Sequence, residues 1–322
     1  MSLIIAIQFL MLCLGLYFVV KGADVLLSSA IALGKKFKVS DFFIGLIIIG
    51  FGTSLPELLV SIKAVLENSP NLSFGNVVGS NISNIVLVLG SILLISHIQF
   101  KNLKKFDIFF HLLIHLIFFI IFYYFKFDAV FGLLFIVTFI FYIFKSFKNS
   151  SSNEVKSIEI DNDLFSKLSF KNPLKYGIPI ILLSIVITLL GAQITVSSAI
   201  EISNILNISE SFLGLSIIAI GTSLPEIAAS IQAVKRRKLD IIIGNIIGSN
   251  IYNLLLILGA SSLFQNFNYD KNILTYEIIF LLICVLILSF LLAINFKFKK
   301  KYSFIFIFLY LLYLYNLFET NF

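Results

Sequence analysis

The chain contains two copies of one segment, and this internal repeat constrains its fold more than any other feature. Residues 45–90 align with residues 214–259 at a constant offset of 169 without a gap, and 24 of the 46 positions are identical. Both copies carry the sequences GTSLPE and GNxxGSNxxN. A repeat of this length is not a solenoid period, so it indicates a protein built from two copies of one half.

The composition places these two halves in a membrane. Hydrophobic residues make up 59% of the chain and charged residues 13%, whereas a soluble domain carries about 25% charged residues. The mean hydropathy is +1.04, so we expect lipid to be the solvent. The Lys and Arg residues cluster in short loops between apolar segments, which is typical of membrane orientation and gives no reason to expect a nucleic-acid partner.

Apolar segments long enough to cross about 30 Å as helices can be counted directly. There are ten of them: residues 3–33, 42–66, 73–95, 106–124, 129–146, 174–204, 212–234, 240–264, 273–295 and 302–318. We therefore predict an all-α membrane protein with ten transmembrane helices, five in residues 1–147 and five in residues 174–322. Residues 148–173 contain the only long polar stretch and are predicted to be a cytoplasmic linker.

The charges of the loops predict an inverted arrangement of the two halves. The first, third, fifth, seventh and ninth loops hold 20 Lys and Arg residues, and the even loops hold two. The positive-inside rule then places the odd loops in the cytoplasm and both termini outside. Because five spans is an odd number, the second copy enters the membrane from the opposite side. Inverted repeats of this kind are the usual frame of alternating-access transporters.

The two prolines of the TSLPE sequences predict a broken helix in each half. Pro56 and Pro225 lie near the middle of their spans, where proline removes an N–H group and clashes with the carbonyl four residues earlier. Unwound backbone at this depth is tolerated only beside protein or a wet cavity. We therefore expect carbonyl groups that turn off the helix axis near Gly50, Thr53, Ala219 and Thr222.

Glu57 and Glu226 follow these prolines and are predicted to lie at the centre of the membrane. A carboxylate there costs at least ~2.5 kcal/mol. Lys63 lies six residues after Glu57, too far around the helix to pair with it, and the second copy has Gln232 at the equivalent position. We therefore expect mobile cations, rather than basic side chains, to compensate both glutamates.

The GNxxGSNxxN sequences add further oxygen donors. Ser80 and Asn84 share one helix face, and so do Ser249 and Asn253. Hard oxygen donors without Cys or His suit Ca²⁺, Mg²⁺ or Na⁺ rather than transition metals. Mg²⁺ fits less well because it retains its waters, whereas Ca²⁺ accepts six to eight oxygens in a flexible shell.

These paired motifs resemble the α-repeats of the cation/Ca²⁺ exchanger superfamily, especially its prokaryotic sodium/calcium exchangers. The resemblance covers both repeats and the ten-span layout, and it implies a multi-pass protein of the prokaryotic plasma membrane. It also implies a mid-membrane site in which Glu57 and Glu226 are the central ligands of Ca²⁺ and Na⁺. The other implied ligands are the hydroxyls of Ser54, Ser80, Ser223 and Ser249, the carbonyls of Gly50, Thr53, Ala219 and Thr222, and the amides of Asn84 and Asn253. Some relatives have Asp in place of one of these amides, so the site here carries two formal charges rather than three.

The predicted function is antiport of Ca²⁺ against Na⁺ by alternating access, with these ions and lipid as partners, no cofactor and the oligomeric state left open. One alternative is an antiporter of Ca²⁺ or another divalent cation that is coupled to H⁺ or K⁺. A more distant alternative is a membrane-embedded enzyme that uses Glu57 and Glu226 as acid and base. No nucleophile or phosphate-binding motif supports an enzyme.

Elsewhere in the first span, Lys21 and Asp24 lie three residues apart. Side chains at this spacing are neighbours on a helix surface. The sequence therefore predicts an ion pair within this helix.

Overall fold

The computed structural model describes residues 2–66, 70–100, 103–150, 164–205, 219–264 and 271–320, and these residues form helices joined by short loops. An isolated bridge between Ile98 and Phe298 is the only β pairing among them. We number the helices in chain order. They are α1 Ser2–Phe37, α2 Asp41–Thr53, α3 Leu55–Leu66, α4 Pro70–Ile95, α5 Lys105–Tyr124, α6 Ala129–Asn149, α7 Leu164–Lys171, α8 Ile178–Ile205, α9 Ala219–Thr222, α10 Leu224–Lys235, α11 Leu239–Ser262, α12 Lys271–Ala293 and α13 Ser303–Thr320.

Apart from α7, the described helices overlap the predicted spans, but fewer than ten of them are long and apolar enough to cross a membrane. Seven helices among the described residues are long and apolar enough to do so, and the bent pair α2 and α3 makes an eighth. The predicted span 212–234 begins outside the described residues and continues as α9 and α10. Helix α13 occupies the last predicted span but is not among the eight. The chain is therefore an all-helical, multi-pass membrane protein.

Two of the long helices contain a wider π-helical turn at the same place in the repeat. This turn covers Asn84–Val88 in α4 and Tyr252–Leu258 in α11, and it begins two or three residues after the GSN sequence of each copy. Turns of this kind insert one extra residue and frequently mark functional sites. Their recurrence at equivalent positions shows that the repeat in sequence is also a repeat in local geometry.

The two halves pack crosswise around the centre of the protein. Helix α2 of the first copy packs on α11 of the second, while α9 and α10 of the second copy pack on α4 of the first. Glycines bring α2 and α11 together: a Cβ atom on Gly45 would collide with the carbonyl of Ile241, and one on Gly248 would lie 2.7 Å from the carbonyl of Leu46. The backbones can approach this closely because small residues leave room for them. Each broken helix therefore faces the GNxxGSNxxN helix of the other half.

Helices α1 and α8 form a second close pair, and they are the longest helices in the protein. A Cβ atom on Gly15 would lie 2.8 Å from the carbonyl of Gly191, the residue that aligns with Gly22 at the offset of 169. Helix α7, which lies in the predicted linker, packs on α1, where Ser29 and Ser169 form a 2.8 Å hydrogen bond. The linker therefore contains a helix that is attached to α1.

Contacts between loops bring the basic loops together in two groups. The backbone N–H of Ser40 in the first loop donates to the carbonyl of Ser150 in the fifth, at 2.8 Å. In the seventh loop, Lys238 forms a 2.8 Å ion pair with Asp41 beside the first loop. The bridge between Ile98 and Phe298 joins the third loop to the ninth. The first, fifth and seventh loops are thus connected to one another, and the third is connected to the ninth.

Candidate metal site

The helix breaks at both TSLPE sequences, as the prolines predict. Helix α2 ends at Thr53 and α3 begins at Leu55, and the two are bent by 44°. Ser54 occupies the break with φ −88° and ψ 8°, and Ser223 occupies the equivalent break with φ −89° and ψ 0°. Two breaks with the same backbone angles place a glutamate in the first turn of each following helix.

The two glutamates are buried close to each other. Glu57 and Glu226 each have 1% of their surface exposed. Glu226 lies close enough to Glu57 for the two carboxyl groups to interact electrostatically. Oε2 of Glu57 and both carboxylate oxygens of Glu226 have no hydrogen-bond partner in the described part of the chain. The ion pairs among the described residues involve other acids, Asp24 and Asp41.

The first GTSLPE sequence is joined to α11 by oxygen atoms of the backbone and side chains. The Ser249 hydroxyl donates to the carbonyl of Gly50 at 3.4 Å. The Thr53 hydroxyl donates to the carbonyl of Ile49 at 3.0 Å and to Oδ1 of Asn245 at 3.4 Å. These contacts bring together three of the predicted ligands, Gly50, Thr53 and Ser249.

The other predicted ligands lie on the same helices or in the same breaks. Ser54, Ser80, Asn84, Ser223 and Asn253 are all buried. The hydroxyl of Ser54 and both amide atoms of Asn253 have no hydrogen-bond partner among the described residues. Thr222 and Ala219 form the short helix α9 before the second break. The twelve predicted positions are thus distributed over both breaks and both GNxxGSNxxN helices.

The donor set fits a hard cation. No group of three or more His, Cys, Asp or Glu side chains is found in the described part of the chain. Transition-metal sites draw on such groups, whereas Ca²⁺ is bound by carboxylates combined with carbonyl, amide and hydroxyl oxygens. Two buried carboxylates with unpaired oxygens, beside the hydroxyls and carbonyls of two broken helices, provide that combination.

Two asparagines and two serines beside the glutamates were missing from the sequence-based site. Nδ2 of Asn76 donates to the Ser61 hydroxyl at 2.9 Å, and Nδ2 of Asn245 donates to the Ser230 hydroxyl at 3.2 Å. All four residues are identical between the copies at the offset of 169. Their identity in the two copies could have indicated that these residues belong to the site, as it did for the glutamates.

One further contact of a site residue could not have been predicted by comparing the two copies of the repeat. The hydroxyls of Ser83 and Ser223 lie 2.6 Å apart. The residue equivalent to Ser83 in the second copy is Tyr252. Because the described residues make this contact in one half only, comparing the copies gives no indication of it.

The predicted ion pair between Lys21 and Asp24 is wrong. Asp24 instead pairs with Arg236, at the end of α10, with 2.7 Å between Oδ1 and the guanidinium. The spacing of three residues favoured a partner on the same helix, but α1 packs on α10, which brings an arginine of the other half within reach.

Comparisons with known proteins agree with this geometry. The sequence profile of the family described as "Sodium/calcium exchanger protein" matches residues 7–148 and 176–319. The sodium/calcium exchanger MaX1 of Methanosarcina acetivorans is 34% identical over 81% of this chain and 84% of that protein. An uncharacterised membrane protein of Methanocaldococcus jannaschii, MJ0091, is also 34% identical, over 79% of this chain and 80% of that protein.

Solved structures of a sodium-calcium exchanger have the same fold. The structure of NCX_Mj soaked without Na⁺ and Ca²⁺ has a TM-score of 0.81 at 29% identity and covers 98% of this chain and 100% of its own. The same exchanger soaked with 2.5 mM Na⁺ and 0.1 mM Ca²⁺ has a TM-score of 0.79 at 29% identity, with 95% and 97% covered.

Proposed function

This chain belongs to the sodium/calcium exchanger family and is a cation/Ca²⁺ antiporter, and we propose that it exchanges Ca²⁺ for Na⁺ across the membrane by alternating access. The observation that carries the proposal is the pair of glutamates, Glu57 and Glu226. They are buried near each other, and neither of them forms an ion pair with a basic side chain among the described residues. Their charge requires compensation, and a transported cation supplies it.

The same charges explain why such a site exchanges ions instead of leaking them. The empty site holds two negative charges, and closing apolar helices over two bare carboxylates has a large desolvation cost. One Ca²⁺ neutralises the site, and two or three Na⁺ bring it to neutral or to one positive charge. Access therefore switches when the site is loaded, so that the exit of one ion depends on the entry of the other.

We propose twelve residues as ligands of the transported Ca²⁺ or Na⁺. Glu57 and Glu226 provide the charge, and the remaining ten provide hydroxyl, carbonyl or amide oxygens. The burial of the serines and asparagines and the contacts of Gly50, Thr53 and Ser249 support this assignment. The ten are Gly50, Thr53, Ser54, Ser80, Asn84, Ala219, Thr222, Ser223, Ser249 and Asn253.

The proposed frame is ten transmembrane helices in two inverted repeats, residues 1–147 and 174–322, joined by the linker 148–173. The crosswise packing of each broken helix on the other half and the π-helical turns at equivalent positions support it. Helices α1 and α8 are the proposed moving elements, because they pair with each other under the inverted symmetry.

The proposed orientation places the basic loops in the cytoplasm and both termini outside, in a prokaryotic plasma membrane. The contacts of the first loop with the fifth and seventh, and of the third with the ninth, support one common face for these loops. Asp24 and Arg236 form an ion pair near this face, which connects α1 to the end of α10.

We expect loss of this ion pair to lower the thermal stability of the protein. The side chains of Arg236 and Asp24 are 17% and 30% exposed. Water screens this ion pair less than a fully exposed one, so we expect its loss to lower the free energy of unfolding by about 1 kcal/mol. Asp24→Asn should lower Tm by about 2–4 °C, and the exchanged pair D24R/R236D should recover at least half of that loss. Lys21→Gln is the matched control. An unchanged Tm in Asp24→Asn, or an equal drop in Lys21→Gln, would contradict the assigned pairing.

A flux experiment tests the proposed function. The protein is reconstituted into vesicles loaded with radiolabelled Ca²⁺, and efflux is measured with Na⁺, K⁺, a pH gradient or an impermeant salt outside. We expect rapid efflux with external Na⁺ and little without it. Efflux driven by K⁺ or by protons would show that this ion, and not Na⁺, is the coupling ion. Efflux without any counter-ion would indicate a channel.

A further inference from the structure

Asn76 and Asn245 occupy equivalent positions in the two GNxxGSNxxN helices, yet they make different hydrogen bonds. Both side chains use Nδ2 to reach the serine one turn after the glutamate, Ser61 at 2.9 Å and Ser230 at 3.2 Å. This shared bond attaches each asparagine to the broken helix of its own half. The differences concern the remaining contacts.

In the first half, the asparagine also holds the backbone at the glutamate. Nδ2 of Asn76 donates to the carbonyl oxygen of Glu57 at 3.1 Å. This carbonyl belongs to the first turn of α3, directly after the break at Ser54. The bond therefore fixes the start of the helix that carries the Glu57 carboxylate.

In the second half, the asparagine reaches across to the first. Oδ1 of Asn245 lies 3.4 Å from the Thr53 hydroxyl and 3.5 Å from the Ser249 hydroxyl, and these hydroxyls share their hydrogens between Oδ1 and backbone carbonyls of the first half. Among the described residues, its Nδ2 bonds to Ser230 and makes no bond to the carbonyl of Glu226. The start of α10 thus lacks the support that Asn76 gives to α3.

From this difference we infer that Asn76 and Asn245 are positioning residues that exchange their hydrogen-bond arrangements when access to the ion site switches sides. The inference rests on the proposed alternating access. The proposed inverted repeats have opposite orientations in the membrane. A state in which each half has the conformation of the other therefore faces the opposite side of the membrane. In that state Asn245 holds the carbonyl of Glu226 and Asn76 releases the carbonyl of Glu57.

The chemistry of the side chain suits this role. An amide offers both a donor and an acceptor, so it can hold a backbone carbonyl in one state and accept from a hydroxyl in the other. The bond to Ser61 or Ser230 keeps the asparagine attached to its own half in both states. Because the bond to the glutamate carbonyl exists in one half at a time, it stabilises one of the two states, and a net hydrogen bond changes an equilibrium by about fivefold.

The test compares the two faces of the transporter. Apparent KM for Ca²⁺ is measured in right-side-out and in inverted membrane vesicles, and the ratio of the two values reports which state is favoured. Asn76→Ala removes the bond seen here, so we expect it to change this ratio about three- to fivefold towards the opposite-facing state. Asn245→Ala should change the ratio by a similar factor in the other direction, and the double variant should restore it.

Ser61→Ala and Ser230→Ala are the matched controls, since the asparagine–serine bond is present in both halves. They should slow transport without changing the ratio. If an alanine variant does not reach the membrane, Asn76→Ser and Asn245→Ser replace it, because serine is smaller and cannot span the same contacts. Shifts of the ratio in the same direction for both asparagines, or no shift in either, would overturn the inference. The wild-type flux experiment tests the proposed exchange independently.

Discussion

Glu57→Gln and Glu226→Gln are each expected to reduce Na⁺-driven Ca²⁺ uptake into vesicles by at least about 100-fold. Glutamine keeps the size and the oxygen of the side chain but removes the charge. At an effective dielectric constant of about 20, two unit charges 4 Å apart interact by about 4 kcal/mol, which corresponds to roughly a thousandfold in affinity. Ca²⁺ carries twice that charge, so the loss of one of the two buried carboxylates removes about half of the charge–charge attraction that holds the ion.

A third buried glutamate offers a control matched in residue type and burial. Glu277 in α12 is 5% exposed and, like the site glutamates, has an unpaired carboxylate oxygen among the described residues. Its equivalent in the first copy is Ile108, so it has no counterpart in the repeat. Glu277→Gln should keep uptake within about threefold of the wild type. Equal losses in all three variants would show that burial, not ion binding, explains the effect.

Gly248→Ala is expected to destabilise the protein far more than Gly79→Ala, although the two glycines are equivalent in the repeat. A Cβ atom on Gly248 would lie 2.7 Å from the carbonyl of Leu46, which is backbone of the opposite half and cannot move independently. Among the described residues, a Cβ atom on Gly79 would meet only the Tyr313 hydroxyl, at 3.3 Å. Overpacking of this kind costs about 1–3 kcal/mol, occasionally more.

Thermal unfolding of the two purified variants measures the difference. For a chain of this size about 3 kcal/mol corresponds to a fall in Tm of roughly 6–12 °C, which we expect for Gly248→Ala together with poor recovery in detergent. Gly79→Ala should stay within about 2 °C of the wild type, because the end of the Tyr313 side chain can shift. Similar melting temperatures for both variants would contradict the close packing of α2 on α11.

The features that could be predicted from the sequence depend on residues that are present in both copies of the repeat. The breaks at Ser54 and Ser223, the uncompensated pair of glutamates and the all-helical membrane fold follow from residues that recur inside apolar segments. Their physical basis is local, since proline breaks a helix and lipid excludes a bare carboxylate wherever they occur.

The features that escaped prediction depend on contacts between the halves. The pairing of Asp24 with Arg236 requires α1 to pack on α10, and that packing is a property of the assembled bundle. The different contacts of Asn76 and Asn245 escaped for a related reason. Two identical residues in equivalent sequences differ only because the two halves adopt different positions around the site. A repeat in sequence shows which residues are duplicated, but not how the copies differ in one state.

Equilibrium binding of radiolabelled Ca²⁺ to the purified protein tests the central claim most directly, because it requires no transport cycle. The claim is that Glu57 and Glu226 together hold the transported cation. We expect saturable Ca²⁺ binding to the wild type that Na⁺ displaces, and no such binding to the doubly substituted protein E57Q/E226Q, whose Tm should be no lower than that of the ion-free wild type. Saturable binding of the same affinity in that double variant would contradict the account.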